Sequence, residues 1–588
     1  MRNRSCAFRL LFLLCCTAPL LQSHRVAAEE LETPDPEEAE SWNAVWEEYS
    51  AFPIDVRNAP ITELATLPGI TDSLARSLRT TPFDRIPQPL REYVKSDASY
   101  SANLRTRVSV RDPYRIGAYP DAAAYTRLTM SLVDRWTGGV LVERDAGEPR
   151  LADHTAWTLA YHTTDGAFHA VGGQIGAHIG TGLVVARSGP MWIDPTTIRM
   201  RNASIRPSLA SAESGALVGG AVHVRRPIAD VVIIVAQPRW DAVVNDSGVV
   251  TTIRDDGIHI SSGQRAARHQ LHERLGVARM GFGTGDQTDV GITFATSAYD
   301  HPISVGSPRA PLRTSSHSIG IDGAIQQERA LLGGEVVRQA DGGLAAMALA
   351  RYRFESTVFT IAGWSYDEDV FLPHGNGYSF RGDASGERAA LVGVRTGVRR
   401  ASIDVWGARF NQTYANSSDP FPRVGWVENA KIELQLTPTI SLAARARHRG
   451  TSHPGIGQRK SRSEIRITPI VEWERVVVKP RIDYVCASPS GTGSLVGVFG
   501  SIETRSVRVR GEIVAYRSTS SDAALYLYDY RAPGYGFSRA LYGTGVGWTS
   551  QLAYNWRSIT CSASVGGVSR QGRGTDVTAT FQVTMTAR

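Results

Sequence analysis

The residues best placed for chemistry lie in the run Pro53 to Leu78, PIDVRNAPITELATLPGITDSLARSL. Gly69, Ile70, Thr71 and Asp72 form a tight link in which Gly69 is free to take positive φ. Thr71 can cap the segment that follows, so the first backbone N–H groups there lack intrahelical partners, and Arg76 and Arg79 stand close by. Exposed N–H groups with a helix dipole behind them favour an anion such as phosphate. The chemistry predicted is a hold on the DNA phosphate backbone that ignores base sequence. The same residues would serve a small packing or protein-contact module, and both readings stand.

Other candidates are weaker. Arg445, Arg447 and Arg449 alternate with Ala444, Ala446 and His448, and Arg508 and Arg510 alternate with Val507 and Val509. In a strand each arginine set shares one face, which would attract anions or pair with the protein's own acids. Histidines in Arg268 to His272 and at His374 have no partner that spacing identifies, and Asp255-Asp256 and Asp367-Glu368-Asp369 read as solvated loop acids rather than calcium ligands. No Cys/His spacing of a zinc site appears, so no metal or cofactor is predicted. No set of nucleophile, base and orienting group emerges either, and an enzyme is not predicted.

The elements that position the hairpin are two short helices. Pro60 suits a first helical turn, and Ile61, Leu64, Ala65 and Leu67 follow on one face. Leu67-Pro68-Gly69-Ile70 breaks the helix, and Leu74, Ala75 and Leu78 face back from the second one. The phrase PIDVRNAPITELATLPGI resembles the ComEA-type helix-hairpin-helix, whose hairpin N–H groups grip DNA phosphates. Thr71 stands where that motif has a second glycine. A second copy survives only as Thr80 to Pro87 and Leu90 to Val94.

Ahead of this module, residues 1–28 read as a signal peptide. Arg2, Arg4 and Arg9 form its charged start, Leu10 to Leu21 its apolar stretch, and Val26-Ala27-Ala28 its cleavage site. Residues 29–52 are an acidic linker and a short helix, Ser41 to Ala51, whose Trp42, Val45, Trp46 and Tyr49 form a stripe expected to pack on the hairpin module, with docking to a partner as the alternative. The hairpin domain fills 53–96.

From 101 to 588 the apolar period is two. Val577, Ala579, Phe581, Val583, Met585 and Ala587 alternate with Thr578, Thr580, Gln582, Thr584 and Thr586. Similar segments recur, such as Tyr125 to Val133, Ala401 to Phe410 and Val477 to Val485, with short and long joins alternating. The longest joins are Asp367 to Glu387 and Asn411 to Val424, and Arg201 to Gly215 is placed to fold inward as a constriction. A propeller or solenoid would show a fixed repeat, which is absent. A transmembrane barrel of roughly 18–24 strands, even in number, fits better, with Trp136, Trp364, Trp406, Trp426, Trp473, Trp548 and Trp556 as interfacial aromatics. Cys486 and Cys561, the two cysteines beyond the signal, read as unbridged strand residues.

The net charge of +7 is unevenly spread: all but ten of the 64 Lys and Arg, and all but fifteen of the 57 Asp and Glu, lie after residue 100, which gives that region +12. A basic lumen would favour anions.

Gly172 to Val185, Arg206 to Gly215, and Leu525 to Tyr530 with Gly543 to Trp548 together resemble a family of Gram-negative outer-membrane proteins that join a periplasmic helix-hairpin-helix segment to a large barrel. The expected fold is therefore mainly β, a large transmembrane β-barrel preceded by a small all-α helix-hairpin-helix domain. The resemblance implies a cell outer-membrane location with the N-terminal domain in the periplasm; the partners carried forward are outer-membrane lipid, the DNA phosphate backbone and a periplasmic protein. Two functions are carried forward: a DNA-binding or DNA-uptake pore, and a structural or solute-transport barrel with the helical module as plug or contact element.

Overall fold

The computed structural model describes residues 48–56, scattered positions between 57 and 99, and 100–587 with short gaps. The signal segment, the acidic stretch before Glu48, and Gly69, Ile70, Thr71, Asp72, Arg76 and Arg79 lie outside the described residues. Within the hairpin segment Leu64, Leu67, Ala75 and Leu78 are described and buried. Ile54–Asp55 pairs in parallel with Val94–Lys95, which brings the two ends of that segment together.

Among the described residues, twenty-four strands form a closed antiparallel circuit. It starts at Tyr100–Asp112 and runs neighbour to neighbour to Thr575–Ala587, which pairs back onto the first strand. Closure leaves no unpaired edge, which is what a sheet needs in an apolar medium. Three further strands, Arg201–Pro207, Arg239–Val244 and Val250–Arg254, hang from this wall without being needed to close it.

The two rims differ. On the rim that holds Tyr100, strands are joined by very short turns, in which Val133, Glu355, Arg399, Glu474 and Arg557 take positive φ. Such turns match the right-handed strand twist and reverse the chain in two or three residues. The opposite rim carries the long connections, among them 181–200, 245–270, 367–386 and 519–524 with the hairpin that follows.

Side chains alternate as the sequence pattern requires. In Leu271–Gly283, Leu271, Leu275, Val277 and Arg279 turn inward and are buried, whereas Met280 and Phe282 turn outward and are exposed. The outer surface is a continuous apolar band that includes Ile233, Ile292, Ile321, Ile361, Ile482 and Ile513. Water would not tolerate so large an apolar face, whereas a bilayer requires one. No helix of the described residues is long and apolar enough to cross a membrane.

Aromatics ring the short-turn rim. Tyr100, Trp136, Phe354, Trp473 and Trp556 all sit at that end of their strands with side chains exposed. Trp364 and Trp406 do not belong to this ring. Both are 4% exposed and face the lumen, where Trp364 donates its indole N–H to Glu387 (2.9 Å). Cys486 and Cys561 are both free thiols.

Some strands were hidden from period-two reading because both their faces are apolar. In Leu344–Phe354, Leu344, Tyr352 and Phe354 face outward, while Ala345, Met347 and Leu349 face a packed interior. Alternation fades wherever the lumen face touches protein instead of water.

Ile321 lies near mid-strand, faces outward, and stands opposite Ile292 and Val336. Replacing it with Arg (I321R) is expected to cost about 2–4 kcal/mol in reversible unfolding from lipid vesicles, the range for a cation at the bilayer midplane. Ile321→Leu should be near neutral. Equal stability of the two variants would contradict the outward assignment.

Candidate functional site in a plugged, arginine-lined lumen

The strand Phe168–Gly180 belongs to the wall for only half its length. Up to Gln174 it pairs with Val218–Arg226; beyond that it leaves the wall and pairs with Arg201–Pro207 inside the barrel. The departure is at Gly173, which has φ +92, and a Cβ there would collide with the Trp157 carbonyl. Only glycine meets both demands. The inward chain returns at Leu217, whose carbonyl accepts from Ile175 N (2.8 Å). The described residues between 175 and 217 thus form a plug, with Ile175, Ile179, Leu183, Val184, Ile198 and Ile205 in one apolar core with wall residues such as Val277, Val337, Leu349 and Leu391.

Polar contacts fix the plug to the wall. Glu335 Oε2 accepts from Thr181 N (2.8 Å), Thr181 Oγ1 (2.7 Å) and Leu183 N (3.2 Å). Gly180, at φ +60, permits this approach, since a Cβ there would lie 2.9 Å from both Glu335 Oε2 and Asp322 Cβ. Arg351 donates to the carbonyls of Pro195 (2.8 Å) and Ile198 (2.9 Å). Beneath the plug tip, buried Arg279 binds Asp322 (2.8 Å), Asp289 (3.0 Å) and Asp230 (3.2 Å), tying four wall strands together. A buried cation with several carboxylates needs such complete pairing.

Two more pieces enter the lumen. Residues 48–52, the end of a helix, rest against the inner wall: Ser50 Oγ accepts from Arg127 (3.0 Å) and Arg105 (3.2 Å), and Arg206 donates to the Phe52 carbonyl (2.6 Å). Tyr49 packs under the Arg206 guanidinium, 4.7 Å from the ring centre. The expected stripe residue Tyr49 therefore packs on the plug strand. The hairpin Leu525–Ala532 with Tyr535–Leu541 also folds inward, held by Asp529 to Arg539 (2.7 Å) and Thr549 (3.2 Å), and by Ser564 to the Arg531 carbonyl (2.5 Å).

Between this hairpin and the wall lies a small cleft lined by Arg445, Arg447, Arg462, Arg466, Glu464, Asp483 and Tyr526. Arg445 and Arg466 stand opposite each other, as do Arg449 and Arg462. The predicted arginine face is the lumen face: outward neighbours Ile465, Ile467, Val509 and Ile513 are exposed. The lumen acids answer part of this charge. Asp483 binds Arg466 (3.0 Å), and Arg481 bridges Asp483 (2.5 Å) and Glu512 (3.1 Å). Arg508 pairs with Glu503 (2.6 Å).

The loop 367–386, which reads as a polar join, closes over the plug instead. Tyr378 is buried, Asn376 N donates to the Gly182 carbonyl (2.8 Å), and Ala186 N donates to the His374 carbonyl (2.9 Å). His374 Nε2 lies 2.8 Å from Glu273, which also accepts from Trp240 (2.8 Å). Spacing could not reveal His374 as a partnered residue, because Glu273 is about a hundred positions away and joins it only through the fold. Arg201 to Gly215 does fold inward, as its Ser- and Arg-rich composition suggested.

No family model matches the chain, and no curated protein matches it. Among solved structures, the siderophore receptor PirA from Pseudomonas aeruginosa is similar at 7% identity and TM-score 0.40, covering 84% of this chain and 82% of that one. The translocation pore of the P pilus usher PapC is similar at 10% identity and TM-score 0.36, over 83% and 99%. OccAB2 from Acinetobacter baumannii is similar at 10% and 0.31, over 84% and 100%. With scores this low, the barrel assignment rests on this chain's own pairing.

Glu335 holds the plug tip through three hydrogen bonds to one carboxylate oxygen. Bonds to a charged group contribute about 1.5–3 kcal/mol each and are not additive. Glu335→Ala should speed hydrogen exchange of 175–185 by roughly 10–100-fold while leaving the strands 543–587 unchanged. Uniform acceleration across the chain would mean that the plug is not a separate unit.

Proposed function

We propose that this chain is an outer-membrane β-barrel that admits a small anionic solute, with the plug of residues 175–217 as its gate and residues 48–52 as a second brace inside the lumen. The observation that carries the reading is the arginine-lined inner face, with its small cleft beside the inward hairpin, inside a barrel whose outer surface is apolar. Guanidinium groups gathered on a low-dielectric wall raise the local concentration of anions. The role is binding and passage, not catalysis. The short-turn rim is assigned to the periplasm, because the helical segment enters the first strand there and periplasmic turns are the short ones in such barrels.

This is the solute-transport alternative, with the plug supplied mainly by the barrel's own chain. A DNA grip through Gly69 to Asp72 with Arg76 and Arg79 is a separate proposal for residues outside those described, and nothing among the described residues favours it over passage of a small anion.

Under a salt gradient in planar bilayers, the purified chain should show anion-selective current. Arg445→Glu with Arg447→Glu should shift the reversal potential toward cations without changing heat-modifiable gel mobility. Cation selectivity in the unmodified chain, or a reversal potential that ignores the double change, would overturn the reading.

A further inference from the structure

At the outer mouth, four carboxylates surround one histidine. Glu148 and Asp153 come from the loop after the strand Trp136–Arg144, Glu213 from the returning limb of the plug, Asp241 from Arg239–Val244, and His259 from the stretch before the short helix Ser262–Ala267. All five side chains are at most 5% exposed. Asp241 Oδ2 lies 2.7 Å from His259 Nε2. A carboxylate accepts only if that nitrogen carries the proton, which leaves the Nδ1 lone pair on the other side of the ring.

Nδ1 faces three more carboxylate oxygens: Asp153 Oδ2 at 3.1 Å, Glu213 Oε2 at 3.4 Å and Glu148 Oε1 at 3.5 Å. A lone pair among anionic oxygens is repelled by each unless a cation lies between them. Glu148 Oε2 and Glu213 Oε2 are buried with no hydrogen-bond partner among the described residues. A fixed positive charge reaches these groups from Arg268, which binds the other oxygen of Asp153 and its carbonyl. A proton on Nδ1 would satisfy Asp153, but it would leave Glu148 with the His259 backbone N–H (2.9 Å) on Oε1 alone and Glu213 Oε2 unanswered.

We propose that Glu148, Asp153, Glu213 and His259 Nδ1 bind one divalent metal ion of the Zn²⁺ or Mn²⁺ class, with Asp241 orienting the imidazole. The ligand atoms of Glu148, Asp153 and His259 already lie within 4.8 Å of one another. The separations from Nδ1 match the edge of about 3.4 Å expected for a tetrahedron with metal–ligand bonds near 2.1 Å. One imidazole and three carboxylates suit these ions and disfavour soft ones such as Cu(I). An Asp–His–metal relay is the usual way a second carboxylate fixes a histidine ligand. Glu213 belongs to the plug and the other ligands to the outer loops, so the ion fastens plug to rim. This rests on the plug and not on the anion reading.

The test uses the full-length protein in detergent, stripped with chelator and titrated with Zn²⁺ or Mn²⁺ by calorimetry, with bound metal counted after dialysis. One ion per chain is expected, with slower hydrogen exchange of 208–217 by about tenfold or more. Glu148→Gln with Asp153→Asn should abolish binding. Asp241→Asn, which touches no ion, should weaken it by about 10–100-fold. Heat-modifiable mobility establishes that each variant is folded. Folded wild type that takes up neither ion at millimolar concentration overturns the proposal, as does unchanged binding in the double variant.

Discussion

Everything in this molecule depends on one row of backbone hydrogen bonds, between Tyr100–Asp112 and Thr575–Ala587. The pairing runs from Ala102 opposite Ala587 to Asp112 opposite Val577 and joins the two ends of the barrel wall. Without it the wall would be a long sheet with two open edges, unstable in lipid and prone to pair with other chains. With it, each strand can present apolar side chains outward and polar ones inward. The closed circuit also fixes which residues meet in the lumen, since the register of every neighbour is set in turn.

Closure creates a second problem, because a circuit this wide encloses more space than wall side chains can fill. The chain solves it with its own segments. The plug leaves the wall at Gly173, the hairpin Leu525–Leu541 folds inward, and residues 48–52 rest on Arg105 and Arg127. The lumen is consequently of two kinds. Where the plug sits, the wall is apolar and packed like an ordinary core; beside the hairpin, an apolar cluster of Leu525, Leu527 and Leu541 on Val485, Leu495 and Val514 borders a charged cleft of arginines and acids. Arg279 joins wall strands in the packed half, and Glu335 there holds the plug tip, which is where a change in plug position would have to begin.

Much of the wall was legible in the sequence because lipid imposes a simple code. Val577 to Ala587 alternates without a break since its lumen side meets polar surroundings, and the Arg445 and Arg508 sets fall on the lumen face for the same reason. Legibility ends where the lumen face meets protein. Leu344–Phe354 loses its alternation against the plug, and Trp364 and Trp406 leave the interface for the interior because they fill that core. The acid and histidine cluster was invisible for a different reason. Glu148, Asp153, Glu213, Asp241 and His259 are spread over more than a hundred positions, and no local spacing links them. The hairpin residues Gly69 to Arg79 remain a matter of motif and helix-end physics.

The central claim is that the lumen is shut by the plug and that solute passes only when the plug moves. Val184 Cγ2 lies 3.1 Å from where a Cβ on Gly320 would stand, so Val184→Cys with Gly320→Cys should tie plug to wall. Cys486 and Cys561 are free thiols in other strands, so a Cys486→Ser, Cys561→Ser background keeps the tie unambiguous. The measurement is passage of a small anion into liposomes that carry this variant, before and after reduction. The account predicts passage at the protein-free level while the disulfide holds, and recovery when it is reduced. Equal passage in both states, or none in either, would contradict it.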